Sequence, residues 1–353
     1  MLKLDSIEWR EFRVRDIFHV TNSKPYHKEQ VIKSPNGVPY ITRTSINNGL
    51  VDTIENSDRF VLNASNSISL GAENADFFYQ HLEYVTGNKM YSITGEHINR
   101  YVGLFLVMCF RQSIEGAGFG YGKGLTGTRF QNRNIMLPID SENKPNWVFM
   151  GEYMKAIESQ ILDHALKFLI NKSLKTNSKI GSLTPYRWKD FQLGEICNIK
   201  SGVRLTKNEM KPGKTPFIGS TDSNNGITEF TSSINSSVDQ NVLGVNYNGS
   251  VVENFYHPYE CIFSDDVKRV ELKKGGNKYT YLFLKTIILA QKEKYQYGYK
   301  FNAHRMKKQK IQLPINRQGE IDYEFMEQTM KSIEKKQINS IISYFSLKIN
   351  KTC

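Results

Sequence analysis

Asp140, Glu142 and Lys144 follow the order of a metal-dependent nuclease centre, an aspartate and then Glu-x-Lys, whose acidic oxygens would hold a divalent cation. That centre needs its aspartate on a strand well upstream. The matching place in the second half of the chain reads Arg317-Gln-Gly-Glu320. Asp140 to Lys144 is therefore expected to be a solvated turn before a helix. The run Gly116-Ala-Gly-Phe-Gly-Tyr-Gly-Lys-Gly124 has the glycines of a cofactor loop. It does not follow a buried strand, and no acidic residue stands at the required distance after a following helix. A loop that lets the backbone approach phosphate, with Tyr121 and Lys123 in it, fits better. Its counterpart, Tyr295-Gln-Tyr-Gly-Tyr-Lys300, keeps the aromatic and basic residues and loses most glycines. Asp265-Asp266 could pair on a metal, but Asn88 and Lys89 stand near the corresponding place, so a capped turn or strand end is expected. The chain has no Pro-Pro dipeptide to begin a base-clamping Pro-Pro-Tyr loop, and no Gly-x-x-x-x-Gly-Lys-Ser/Thr phosphate loop. Its seven histidines do not cluster. Cys109, Cys197, Cys261 and Cys353 form no CxxC pair, so neither a zinc site nor a disulfide framework is indicated. No catalytic residue, metal or cofactor is assigned to this chain.

What the sequence offers instead is chemistry for binding a polyanion. Lysine and arginine number 47 against 35 acids, a net +12, which points to nucleic acid. A blander source is the Lys-, Asn-, Ile- and Tyr-rich composition itself. Two polar loops occupy matching places: Arg43, Thr44, Asn47 and Asn48 in one half, Thr221, Asp222, Asn224 and Asn225 in the other. Arg and Asn bond base edges bidentately, Asp accepts from cytosine and Thr touches a methyl. For Asn48 and Asn225, each before a glycine, a structural turn is the preferred reading. Asn246 and Asn248 flank Tyr247 in a further candidate loop. Lys123, Arg129, Gln131 and Arg133 match Lys300, Asn302, Arg305, Lys307 and Lys308 as basic runs with amides interleaved, suited to clamping phosphates. The alternative is a solvated charged face.

These residues recur because the chain repeats. Trp9-Arg-Glu-Phe12 returns as Trp188-Lys-Asp-Phe191, Pro39-Tyr-Ile41 as Pro216-Phe-Ile218, and Tyr101 with Leu104-Phe-Leu106 as Tyr279 with Leu282-Phe-Leu284. Arg129 returns as Arg305, and Leu137-Pro-Ile139 as Leu313-Pro-Ile315. The offset drifts only from 179 to 176, which identifies a duplicated unit. Val38 to Ile41 and Val242 to Tyr247 read as strands. Asn47-Asn-Gly49 and Asn224-Asn-Gly226 read as tight turns, and Arg100 to Arg111 and Lys278 to Lys292 as buried helices. Each unit then changes texture. Met150, Met154, Ile157, Ile161 and Phe168, widened by Leu162, Leu166 and Leu169, predict one long amphipathic helix. Met326, Met330, Ile333, Ile338, Ile341, Ile342, Phe345 and Ile349 predict another. At 1.5 Å per residue each spans about 40 Å, more than one small globule covers, so the two stripes are expected to bury against each other as an antiparallel coiled coil. The fold class is α+β: two repeated mixed α/β domains, at 1–146 and 183–322, each followed by a long helix, at 147–182 with its linker and at 323–353. The polar stretch Asn171 to Ser182 is that linker. The longest apolar run, Tyr101 to Phe110, is too short to cross a membrane. The N-terminus lacks a signal-peptide pattern, and a reduced, cytoplasmic protein is expected.

Thr215-Pro-Phe-Ile-Gly-Ser-Thr-Asp-Ser-Asn-Asn-Gly226, Val245-Asn-Tyr-Asn-Gly-Ser-Val251, Tyr297-Gly-Tyr-Lys300, Leu313-Pro-Ile315 and Tyr323-Glu-Phe-Met-Glu327 are similar to the target-recognition domains of the specificity (S) subunits of type I and type IIB-like restriction–modification systems. The resemblance covers nearly the whole chain. The first half departs from it, with Thr42-Arg-Thr44 for Gly219-Ser-Thr221 and Leu70-Gly-Ala-Glu-Asn74 for the Asn-Tyr-Asn-Gly-Ser stretch. It implies a non-catalytic subunit with pseudo-two-fold symmetry. Each domain would read half of a split double-stranded DNA target. Spacer helices would set the gap and dock methyltransferase or fused methyltransferase–endonuclease subunits, and S-adenosylmethionine and Mg²⁺ would sit on that partner. A standalone nuclease or methyltransferase with cryptic motifs, and a scaffold whose charge is only compositional, are the competing readings.

Overall fold

The structure is a computed structural model that describes residues 3–120, 122–176, 187–296 and 298–350, side chains being described as far as 347. It divides into two units, Met1–Ala165 and Leu166–Cys353.

In the first unit the elements run β1 (Trp9–Arg13), α1 (Val14–Ile17), β2 (His19–Asn22), β3 (Lys33–Ile41), β4 (Leu50–Ile54), β5 (Ser67–Gly71), β6 (Asp76–Gln80), β7 (Val85–Thr86), β8 (Met90–Thr94), α2 (Arg100–Ile114), α3 (Gly127–Gln131), β9 (Asn134–Pro138) and α4 (Trp147–Lys175). β1 pairs antiparallel with β9, setting Phe12 opposite Ile135. A four-stranded antiparallel sheet has the order β2-β8-β5-β6, and a smaller one β4-β3-β7, in which β3 and β7 run parallel. The main core lies between the larger sheet and α2. Phe77, Phe110 and Phe130 meet there with ring centroids 4.9–5.5 Å apart, around Leu70, Leu106 and Leu137. A satellite core of Tyr26, Tyr40, Ile54, Phe60 and Val85 lies under the β3–β4 hairpin.

The second unit repeats this element by element: β10 (Trp188–Gln192), α5 (Leu193–Ile196), β11 (Cys197–Ser201), β12 (Pro212–Ile218), β13 (Ile227–Thr231), β14 (Val242–Asn246), β15 (Asn254–His257), β16 (Ile262–Phe263), β17 (Val267–Leu272), α6 (Lys278–Leu289), α7 (Ala303–Lys308), β18 (Lys310–Pro314) and α8 (Tyr323–Asn350). β10 pairs with β18, and the other sheets are β11-β17-β14-β15 and β13-β12-β16. The duplication read from the sequence is thus a duplication of topology. Caps repeat as well. The Asn99 side chain accepts from the amides of Tyr101 and Val102, and that of Asn277 from Tyr279 and Thr280. Satisfying the orphan amides at the same place starts α2 and α6 at equivalent residues. The buried helix expected to reach Lys292 ends at Leu289, and residues 292–294 form a separate 3₁₀ turn.

Each long helix is rooted in its own core by a methionine in its first turn, Met150 or Met326, both wholly buried. The Asn146 side chain caps the Phe149 amide at 2.9 Å, and Asp322 caps Phe325 in the same way. Beyond the root, the apolar rows are unevenly covered. Ile161 and Phe168 are 62% and 65% exposed, while Leu162, Leu166 and Leu169 are half-buried. In α8, Ile338 is buried while Ile333 and Ile341 stand exposed. At 3.6 residues per turn Ile161 and Phe168, eleven and eighteen residues after Met150, stay within about 20° of its face, so that face is covered at the root and open farther along. The Ile349 side chain lies outside the described residues. Part of the stretch read as linker is helical, since α4 continues to Lys175 and the rest, from residue 177 to 182, lies outside the described residues. The last turns of α4 belong with the second unit, where the Lys172 ammonium is 3.1 Å from Glu334 and the Ser173 hydroxyl 2.8 Å from Asn339. Among the described residues, no helix is long and apolar enough to cross a membrane.

Candidate nucleic-acid interface

The two Asn-Asn-Gly loops are built alike. Thr42 donates its amide to the Gly49 carbonyl at 2.8 Å, and Gly219 to Gly226 at 2.9 Å, closing each loop behind its strand. Asn47, Asn48, Asn224 and Asn225 all have positive φ, between 48° and 56°. That left-handed backbone suits asparagine better than most L residues. Asn48 donates its side-chain amide to the Tyr79 carbonyl at 2.9 Å, and Asn225 to the Tyr259 hydroxyl at 3.0 Å, so both serve the turn as expected. Asn47, although exposed, bonds the Leu50 carbonyl through its side-chain amide at 3.1 Å. Its counterpart Asn224 is likewise exposed, beside Asp222.

The loop tips diverge. Arg43 pairs with the Glu73 carboxylate, which Lys89 also binds, and these two cations hold that carboxyl below its ordinary range, Lys89 contributing most. Asn74 bonds the Arg43 carbonyl and, at 3.1 Å, the Ser45 hydroxyl. Thr44 is half-buried in the same hollow, whose wall also includes His27, Lys28 and Asn88. In the second unit the tip is tied differently. Thr221 and Ser223 hydroxyls lie 3.0 Å apart, and the Ser220 hydroxyl bonds the Asn248 carbonyl. The Asn248 amide is held by Asp266 at 2.9 Å. Asn246 departs from the expectation of an exposed base-contacting side chain: it is 1% exposed at the end of β14, with its amide 2.9 Å from the Thr221 carbonyl. A strand residue buried on both faces cannot reach DNA, and Asn246 instead positions the loop that carries Asp222.

The basic runs split in space. Lys123 donates to the Ala117 carbonyl at 2.8 Å, Arg129 to Gly124 at 2.6 Å, and Arg133 to Ser113. All three line an open groove of about 1220 Å³ with Trp9, Phe105, Met108 and Met136. Gln131 points elsewhere, into a 3.0 Å bond with the Val20 carbonyl, because the two-residue advance from Arg129 turns a helical side chain by about 200°. In the second unit Arg305 stacks on the Tyr299 ring at 3.8 Å and donates to the half-buried Lys300's carbonyl at 2.8 Å. Arg129 and Arg305 therefore make the same bond, each to the carbonyl five residues upstream. Asn302 caps α7 by accepting from the Arg305 amide at 3.0 Å, as Thr126 does for Arg129. Lys307 and Lys308 project from the last turn of α7 into solvent. Tyr121 and Tyr297 lie outside the described residues.

The carboxylates weighed as catalytic are structural. One Asp140 oxygen accepts from the Glu142 and Lys144 amides at 2.9 and 3.0 Å and closes the turn before α4. Asp266 holds Asn248, while Asp265 faces Arg204 at 3.7 Å. Among the described residues, no group of three His, Cys, Asp or Glu could hold a metal ion. Burial pushes the thiols of Cys109, Cys197 and Cys261 up to about 12, away from nucleophilic use. Sequence reasoning missed the cluster of His27, Lys28, Glu73 and Lys89 around Arg43. Its members are brought together by the parallel β3–β7 pairing, which no local pattern announces.

Residues 6–166 and 185–343 each match the family described as Type I restriction modification DNA specificity domain. Over 335 residues the chain is 44% identical to the Type II restriction enzyme BgcI specificity subunit S.BcgI of Heyndrickxia coagulans, covering 94% of this chain and 96% of that protein. The crystal structure of the Type-I restriction-modification system S subunit from M. genitalium matches with a TM-score of 0.52 and 16% identity, covering 99% of this chain and 96% of that one, a likeness of fold.

Proposed function

The chain belongs to the type I restriction modification DNA specificity domain family, which it carries twice, and from that premise we propose that it is the DNA-specificity subunit of a restriction–modification complex. The observation that carries this reading is the contrast inside the repeat. Sheets, caps and helix roots recur strand for strand, while the loop tips at Arg43 and Thr221 are tied by different residues. A frame repeated around divergent tips suits two readers of two different half-sites in one split DNA sequence.

In this reading residues 1–146 and 183–322 are the two target-recognition domains. Arg43, Thr44, Thr221, Asp222 and Asn224 face base edges, and Arg129, Arg305, Lys307 and Lys308 clamp phosphates. α4 and α8 pair as an antiparallel coiled coil, hold the two domains at a fixed distance and dock methyltransferase or methyltransferase–endonuclease subunits. S-adenosylmethionine and Mg²⁺ belong to that partner, and this chain performs no chemical step.

The test is methylome sequencing of a host that carries this chain with its methyltransferase partner, against a host carrying the partner alone. A bipartite motif that appears only with this chain is expected. Methylation or metal-dependent cutting by the purified chain alone would instead establish a standalone enzyme.

A further inference from the structure

One side-chain cassette, a tyrosine–glutamate pair with a flanking cation, recurs in both units while the loops around it differ. The Tyr101 hydroxyl, on the second residue of α2, donates to Glu158 of α4 at 2.8 Å; Arg100 reaches the other carboxylate oxygen at 2.9 Å. The Tyr279 hydroxyl, on the second residue of α6, donates to Glu334 of α8 at 2.8 Å, with Lys278 also 2.8 Å away. Glu158 lies eleven residues after Trp147, and Glu334 eleven after Tyr323. A lysine one turn before each glutamate, Lys155 or Lys331, lies 5.7 or 5.3 Å from the tyrosine ring. Burial works against the Glu334 charge, but bonds from Lys278, Tyr279 and Lys172 win and hold its carboxyl down at about 2.

Position along the helix decides what such a cassette can do. Met150 and Met326 fix the root of each helix in the core. One anchor leaves a pivot; a second, eight residues or about 12 Å farther along, fixes the axis. From the root to the far end of α4 is about 37 Å, so a tilt of about 5° moves that end by about 3 Å, close to one base-pair step.

We propose that the paired tyrosine–glutamate clamps, Tyr101–Glu158 and Tyr279–Glu334, are positioning residues that lock each recognition globule to its helix and thereby restrict the complex to a single gap length between half-sites. This rests on the specificity-subunit reading. It concerns gap tolerance, which neither base contacts nor phosphate contacts set.

The experiment is methylome sequencing of cells that express the partner with either the unaltered chain or the Tyr101→Phe/Tyr279→Phe double variant. That change removes two hydroxyls and keeps both rings. The unaltered protein should methylate one gap. The variant should keep both half-site sequences and methylate sites with a gap one base pair longer or shorter about tenfold more often. Glu158→Gln/Glu334→Gln, which keeps an acceptor for the tyrosines but removes the charge that Arg100, Lys278 and Lys172 pair with, should relax the gap in the same direction. A gap as strict in both variants as in the unaltered protein overturns the proposal. So does loss of all methylation from a complex that melts at the unaltered temperature, because the clamps would then do more than set tolerance. Absence of any bipartite motif with the unaltered chain would instead sink the specificity-subunit reading.

Discussion

Asn246 Nδ2 lies 2.9 Å from the carbonyl oxygen of Thr221, tying the end of a buried strand to the loop that presents Asp222 and Asn224. With the Gly219–Gly226 and Ser220–Asn248 bonds, this contact fixes the loop's shape. Asn246→Leu fills the same space without the donor. It should cost about 1–3 kcal/mol of stability and weaken recognition of one half-site about tenfold, leaving the other unchanged. Urea unfolding and gel shifts on duplexes with one half-site scrambled would measure the two effects.

His257 is fully buried, 5.4 Å from the Phe263 ring and 5.8 Å from that of Tyr259, and neither ring nitrogen has a protein partner. Burial lowers its pKa to about 4. An unfolded histidine titrates near 6.5, so between about pH 4 and 6.5 the unfolded chain binds the extra proton. Stability is therefore full above about pH 6.5 and falls as pH drops toward 4, by about 3 kcal/mol in all. His257→Leu should flatten that slope when urea midpoints at pH 7 and 4.5 are compared. An equally steep loss in the variant would assign the acid sensitivity elsewhere.

DNA binding should be strongly salt-dependent. If the two domains neutralise about 6–10 phosphates, affinity falls by about 10³–10⁵ between about 50 and 200 mM salt. Arg305→Ala should lower the slope of log affinity against log salt by about one and weaken binding evenly across sequences. Titrations at four salt concentrations would check it. A changed sequence preference would move Arg305 from the phosphates to the bases.

Inserting one heptad into each long helix, between Ser159 and Gln160 and between Lys335 and Lys336, leaves the clamps and the apolar period intact. If the helices are the ruler, the domains move apart by about 10 Å, or about three base pairs. Methylation should then appear at unchanged half-sites separated by a longer gap. An unchanged gap with full activity would show that the helices do not set the distance.

Much of the frame was legible because it rests on residues that must recur. Trp9 and Trp188, the Asn99 and Asn277 caps and Met150 and Met326 stand at matching positions since each closes the same packing problem. The turn role of Asn48 and Asn225 was legible for a related reason, as few residue types tolerate their backbone. The contacts of Arg43 were not legible. Glu73 and Lys89 lie 30 and 46 positions away and reach it through long-range sheet pairing. Asn246 read as an exposed loop because its polarity suggested solvent, whereas one hydrogen bond to Thr221 makes burial affordable. The exposure of Ile161 and Phe168 was not legible, because they share the angular position of Met150 and only the root of that face packs on the globule.

The pairing of β1 with β9, and of β10 with β18, has an evolutionary consequence. It places the strand that enters each globule against the strand that leaves it, with Trp9 opposite Pro138 and Trp188 opposite Pro314. Everything between those strands is, to the rest of the chain, one long excursion with fixed ends. Changes of length between those strands leave that closure in place, since each doubling of a flexible loop costs only about 0.6 kcal/mol of closure entropy. The repeat offset that drifts from 179 to 176 is such a change, absorbed inside the globule while the ladder beside each long helix keeps its register.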